Sequence, residues 1–145
     1  MRWIAIALVF CLHPAYADDA KLERNKKAVL DFYDKGLNQK DFDAASRHFG
    51  ATYIQHNPGA ADGPDGFKAF LEFLKAKFPQ SKSEIKRVFA EGDYVILHVH
   101  AVREPGTRGT AIVDIFRLDA AGKIVEHWDV AQPIPEKPAN NNTMF

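Results

Sequence analysis

The segment Gly122-Lys-Ile-Val-Glu-His-Trp-Asp-Val-Ala-Gln132 sets an imidazole, an indole and a carboxylate side by side in a run otherwise built for burial. Strand alternation sends His127 and Asp129 to one face and Glu126 and Trp128 to the other. An imidazole and a carboxylate are costly to bury unless they pair with each other or line a cavity. A second carboxylate, Asp114, stands in mid-run in Ala111-Ile-Val-Asp-Ile-Phe-Arg117 and shares a face with Ile112 and Phe116. An antiparallel pairing through a turn at 119–123 would bring Asp114 close to Asp129. Titratable groups held together in an apolar pocket can divide into an acid and a base, because burial and like charge push their pKa values apart. The plainer alternatives are a solvated Asp114 and a purely structural hydrogen-bonded pair of His127 and Asp129.

Two further clusters carry chemistry-bearing side chains. Tyr53, His56 and Asn57 lie on an extended segment before a Gly/Pro/Asp loop, a common location for site residues. His56 and Asn57 could equally cap the turn made with Pro58. His98 and His100 share one face of a strand and would suit a metal, but the sequence supplies no further His motif to complete such a site. The preferred reading places both on the outer face of the sheet, opposite Val95, Leu97, Val99 and Ala101, and no metal is expected.

The elements that must position these groups follow from hydrophobic period. Helical spacing predicts helices over 18–37, 42–49 and 66–78, the last ended by Pro79. Asp41 is suited to cap the second, and Gly50 to stop it. From residue 83 the period changes to two, which predicts strands over 83–91, 94–103, 109–118 and 124–132. Helices first and an antiparallel meander after them mean an α+β fold, with helices packed on one face of a curved sheet. Tyr33 and Phe70 are the helical aromatics placed at the pocket. Core packing is their plainer role.

Composition narrows the class. The 145 residues carry 19 basic and 19 acidic side chains, so no net charge favours nucleic acid or an anionic membrane. Arg2, the apolar run 3–12, Pro14 and Ala15-Tyr16-Ala17 form the n-region, h-region and A-x-A site of a secretory signal peptide. Cleavage after Ala17 would remove Cys11, the only cysteine, and leave residues 18–145 as one domain, periplasmic or secreted, with no disulfide or thiolate chemistry. The terminal Met144 and Phe145 are expected to dock on the pocket mouth or on a partner subunit.

Three helices, Tyr-x-Gln-His-Asn-Pro at 53–58, and a long meander ending in Gly-Lys-Ile-Val-Glu-His-Trp-Asp-Val resemble the SnoaL-like polyketide cyclase branch of the nuclear-transport-factor-2-like superfamily, over about residues 22–145. The resemblance implies a cone-shaped α+β barrel around one deep pocket, commonly dimeric through the sheet face. It implies a pocket Asp as acid/base of an aldol cyclisation, a role that falls on Asp129, with Asp114 matching a carboxylate on the neighbouring strand in related enzymes. The site expected is then Asp129, Asp114, His127 and His56 for catalysis, with Tyr53, Asn57, Phe70, Trp128 and Tyr33 around a small hydrophobic carbonyl compound. No cofactor is expected. A periplasmic small-molecule binding protein, without catalysis, is the other reading.

Overall fold

The computed structural model describes residues 14–145. Only the last four residues of the expected signal segment fall within them. There they form the beginning of a helix, α1 (Pro14–Tyr33), which runs into a π-helical turn, Asp34–Asn38. A short helix α2 (Phe42–Ser46) follows, then strand β1 (Phe49–Gln55), helix α3 (Gly63–Lys77), and strands β2 (Lys82–Glu91), β3 (Tyr94–Val102), β4 (Thr110–Leu118) and β5 (Ile124–Pro133). The change of period from helical to alternating marks the order of the elements, as expected. Among the described residues, no helix is long and apolar enough to cross a membrane.

The strands form one sheet in the order β1-β5-β4-β3-β2. The meander β2–β5 is antiparallel, but β1 pairs with β5 in parallel. The curved sheet packed against helices is as expected from sequence, except that it was expected antiparallel throughout; it is open, with β1 and β2 at its two edges. Register shifts at Ile85/Arg87 and Arg117/Leu118 bend it, because an extra residue on one strand increases local twist.

Three element boundaries also differ from expectation, each for a local reason. The second helix stops at Ser46 rather than Phe49 because the backbone here joins the sheet: Ile124 N–H donates to the carbonyl of His48 at 2.8 Å. The third helix starts at Gly63, three residues early, with Pro64 in its first turn, where a missing N–H costs nothing. Asp62 is its N-cap by position, but its carboxylate accepts from the Gln55 N–H at 2.7 Å and so ties the loop to β1. The first α-helix ends at Tyr33, and its continuation widens to the π form around Gly36. A Cβ at Gly36 would lie 2.8 Å from Phe67 Cζ, so the close approach of the turn to α3 requires glycine.

The helices cover one face of the sheet. Val29, Phe32 and Tyr33 of α1 and Phe67, Leu71 and Leu74 of α3 bury against Val95, Leu97, Val99, Phe116, Leu118 and Ile124. Phe32 lies at the centre, with ring centroids 5.1 Å from Phe67, 5.3 Å from Phe49 and 5.8 Å from Phe116. Tilted and edge-on aromatic contacts of this kind add to the area they bury. The opposite face carries exposed Phe89, Tyr94, Val113 and Val130. His98 and His100 lie on this outer face, as preferred. Phe145 packs over both of them, at 5.2 and 4.8 Å. The chain end therefore lies on the outer face of the sheet, away from the pocket mouth. Lys86 Nζ also stands over the Phe145 ring, 5.5 Å from its centroid.

Candidate active site

Register decides which polar groups meet. Across β4 and β5, Asp114 stands directly opposite Asp129, and Phe116 opposite His127. The parallel pairing of β1 sets Gln55 beside His127, and the His56 N–H donates to the His127 carbonyl at 2.9 Å. Tyr53, Gln55 and Asn57 alternate onto the side of the sheet that faces the helices. They line an apolar cavity of about 260 Å³ with Asp114, His127 and Asp129. Phe32, Tyr33, Phe67 and Phe70 supply much of its hydrocarbon wall.

Asp129 and Asn57 form one unit. The Asn57 amide donates to both carboxylate oxygens, at 2.8 and 2.7 Å. Asn57 is itself pinned, because its Oδ1 accepts from the Gly59 N–H at 2.7 Å and its own N–H donates to Gln55 Oε1 at 2.9 Å. It thus both caps its turn and aims a donor into the cavity. Asp129 is only partly buried and keeps lone pairs free toward the cavity.

Asp114 and His127 form a second, drier unit. His127 Nε2 lies 3.1 Å from Asp114 Oδ1, and His127 Nδ1 lies 3.0 Å from Gln55 Oε1. Gln55 Oε1 must be the acceptor atom, since it already receives the Asn57 N–H. His127 Nδ1 therefore carries a proton, and one further proton is shared between Nε2 and Asp114. Tyr33 donates to Asp114 Oδ2 at 3.1 Å. Burial raises the Asp114 pKa above the usual carboxylate range. The hydrogen bond and charge of His127 oppose the shift, and the nearby Asp129 charge adds to it. Burial, followed by the Asp114 charge, also raises Tyr33 and Tyr53, which keeps both phenols protonated. Tyr53 Oη accepts from Gln55 Nε2 at 3.2 Å, so the Tyr53 proton is left to donate elsewhere.

Seven of the nine residues expected at the site line this cavity: Asp114, His127, Asp129, Tyr33, Tyr53, Asn57 and Phe70. His56 and Trp128 do not. Alternation turns both to the outer face, where their rings stack in parallel at 4.6 Å. There His56 Nε2 pairs with Glu126 Oε1 at 2.8 Å, and Arg117 Nε reaches Glu126 Oε2 at 2.6 Å. The hydrogen bond from His56 leads the contacts that hold Glu126 below the usual carboxylate range. Among the polar lining residues, Gln55 and Arg103 were not expected from sequence. Gln55 had a signal, since it shares the parity of Tyr53 and Asn57. Arg103 had none, because it lies just past the end of β3.

Asp114, His127 and Asp129 also present ligand atoms within 4.8 Å of one another, a donor set that could hold a divalent cation. Both His127 nitrogens are already engaged, so a cation there would have to displace the Asp114 hydrogen bond. The arrangement as built suits proton transfer: an accessible carboxylate, a buried proton-sharing pair and a neutral phenol donor around one apolar space.

Comparison with known proteins agrees with this architecture. A protein from Acidithiobacillus ferrooxidans, provisionally named a polyketide cyclase, is 20% identical, with 74% of this chain and 87% of that one aligned at a TM-score of 0.62. A nuclear-transport-factor-2-like protein of unknown function from Cytophaga hutchinsonii is 22% identical over 75% and 90% of the two chains, at 0.62. A SnoaL-like protein of unknown function from Burkholderia thailandensis is 14% identical over 76% and 96%, at 0.64. At such identities these likenesses speak for the fold. No functionally curated protein matches by sequence. The family model for the SnoaL-like domain matches residues 29–127, which span α1 to the His127 that closes the site, and the chain belongs to that family.

Proposed function

We propose that this protein is an acid/base enzyme that needs no cofactor and acts on a small hydrophobic carbonyl compound by proton abstraction next to the carbonyl, as in aldol cyclisation or isomerisation. The observation that carries the reading is the Asp129 carboxylate, fixed through both oxygens by Asn57 on the wall of an apolar cavity. Asp129 is the base. The Tyr53 hydroxyl donates to the oxygen on which negative charge develops. The Asp114–His127 pair holds a proton in reserve and keeps Gln55 and Tyr53 in place. We further propose that the chain is exported. Cleavage after Ala17 would trim the first four residues of α1 and leave every cavity residue in the mature protein.

The test is exchange of carbonyl-adjacent protons in D₂O, followed by NMR on a panel of aryl and cyclic ketones. Wild-type protein is expected to accelerate exchange. Asp129→Asn, with an unchanged near-ultraviolet dichroism spectrum, should lose at least about 10²-fold of that rate, the usual scale of a general base. Ligand binding with no acceleration of exchange by either protein would overturn the reading in favour of a binding protein, and equal acceleration by both would remove Asp129 as the base.

A further inference from the structure

The cavity does not end at the acid/base groups. A second space of about 290 Å³ adjoins it and shares Tyr33, Leu37, Phe70, Arg103, Ile112 and Ala131 with the first. The two lobes differ in chemistry. The first holds both carboxylates, whereas no Asp or Glu lines the second, whose polar groups are Ser81, Lys82, Ser83, Arg103 and Thr110.

Three observations give the second lobe a sign. The Arg103 guanidinium stands over two rings, 5.7 Å from the Phe70 centroid and 5.6 Å from that of Phe78. These contacts use none of its five N–H donors, and the Arg103 side chain is otherwise exposed. Among the described residues it has no salt bridge, although Arg117 in the same sheet takes one with Glu126. Ser81 is 7% exposed, lines this lobe, and its hydroxyl has no hydrogen-bond partner. A buried, unpartnered hydroxyl is uncommon, and a polar group of a ligand at this lobe is one partner that would satisfy it. Lys40, which lines a neighbouring space and not this lobe, bonds its ammonium to the carbonyls of Ser81 and Asn38, at 3.1 and 3.3 Å, and among the described residues no carboxylate pairs with it.

We propose that the second lobe is a subsite for an anionic group, and that the substrate is an elongated keto acid. Its carbonyl end lies by Asp129 and Tyr53, and its carboxylate meets Arg103 and Ser81. This deepens the acid/base reading and rests on it. The planar guanidinium matches a carboxylate through two parallel N–H donors, and the two rings beside it leave those donors free for a ligand. The far carboxylate fixes which carbon of the chain lies against Asp129.

The probes are 3-benzoylpropionate, an aryl ketone with a carboxylate, and its uncharged methyl ester, with affinities measured by calorimetry. Wild-type protein is expected to bind the acid roughly tenfold or more tightly than the ester, the scale of a charge-assisted contact. Arg103→Met keeps a flexible apolar chain against Phe70 and Phe78 and should abolish that preference. Ser81→Ala should reduce it by a smaller factor. Equal binding of acid and ester by wild type, binding of neither, or a preference that survives Arg103→Met would each overturn the proposal. Proton exchange on the same two compounds separates it from the reading beneath it. Exchange without acid preference removes the anionic subsite alone, and acid preference without exchange removes the base role of Asp129 alone.

Discussion

At the residue scale, Asp114 and Asp129 show how one side-chain type takes two roles from position alone. They face each other across β4 and β5, yet Asp129 receives an amide and meets the cavity, while Asp114 is enclosed by Tyr33 and His127. Burial raises the Asp114 pKa, so the folded chain binds that proton more tightly than the unfolded chain, whose value lies near 3.8. The folded state therefore holds more protons in the window that opens there and closes above the raised folded value, and the Asp114 contribution to stability falls as pH rises through it. Urea denaturation at a series of pH values is expected to show wild type losing stability relative to Asp114→Asn across that window. Wild type gaining stability relative to Asp114→Asn as pH rises would contradict the assignment. Both carboxylates were legible from the sequence because a charged residue in mid-strand stands out against Val, Ile and Phe. Their partners were less so. Asn57 was readable as a turn residue, but its reach to Asp129 depends on a parallel pairing between segments 72 residues apart.

At the scale of elements, the loop between β1 and α3 sets the position of Asn57 and thus of Asp129. Its packing against α3 relies on Gly66, where an added Cβ would come within 2.0 Å of the Ala61 carbonyl oxygen. The backbone cannot yield there without moving the loop. Gly66→Ala is expected to destabilise the protein by about 1–3 kcal/mol in chemical denaturation, the range of overpacked sites, and to weaken ligand binding as Asn57 shifts. Gly63 is a useful contrast, because its φ of +76° favours glycine but no atom lies within reach of an added Cβ. Gly63→Ala should cost only about 1 kcal/mol and leave binding intact. Denaturation midpoints and ligand titrations on the two variants would distinguish crowding from backbone strain. The helices and the four meander strands were legible because their hydrophobic periods are strong. β1 was not, since Phe49 continues the apolar pattern of the preceding helix and only long-range pairing with β5 makes it a strand. His56 and Trp128 were misplaced for the same reason. Their parity was readable, but which parity faced the helices was not.

At the scale of the whole molecule, the two faces of the sheet are used differently. The inner face holds the core and the cavity, whereas the outer face leaves Phe89 55%, Val130 71%, Tyr94 43% and Val113 40% exposed. We propose that two copies pair through this face, which would remove such an apolar patch from water. Val130→Asp combined with Val113→Lys should then shift the protein to monomer in sedimentation equilibrium, while a wild-type monomer would end the proposal. The parallel β1–β5 pairing has another consequence, which concerns time. The contacts that complete the site join residues 72 to 81 positions apart: Asn57 to Asp129, Gln55 to His127 and Tyr33 to Asp114. Loops of that length close slowly compared with local helices and hairpins, because their entropy is lost before any contact compensates. A growing chain can assemble α1 to α3 and the first hairpin, yet it has no paired carboxylates until the last strand is made and docks beside the first. The paired carboxylates are thus among the last features the chain acquires, and a truncated or half-folded copy has the helices without them.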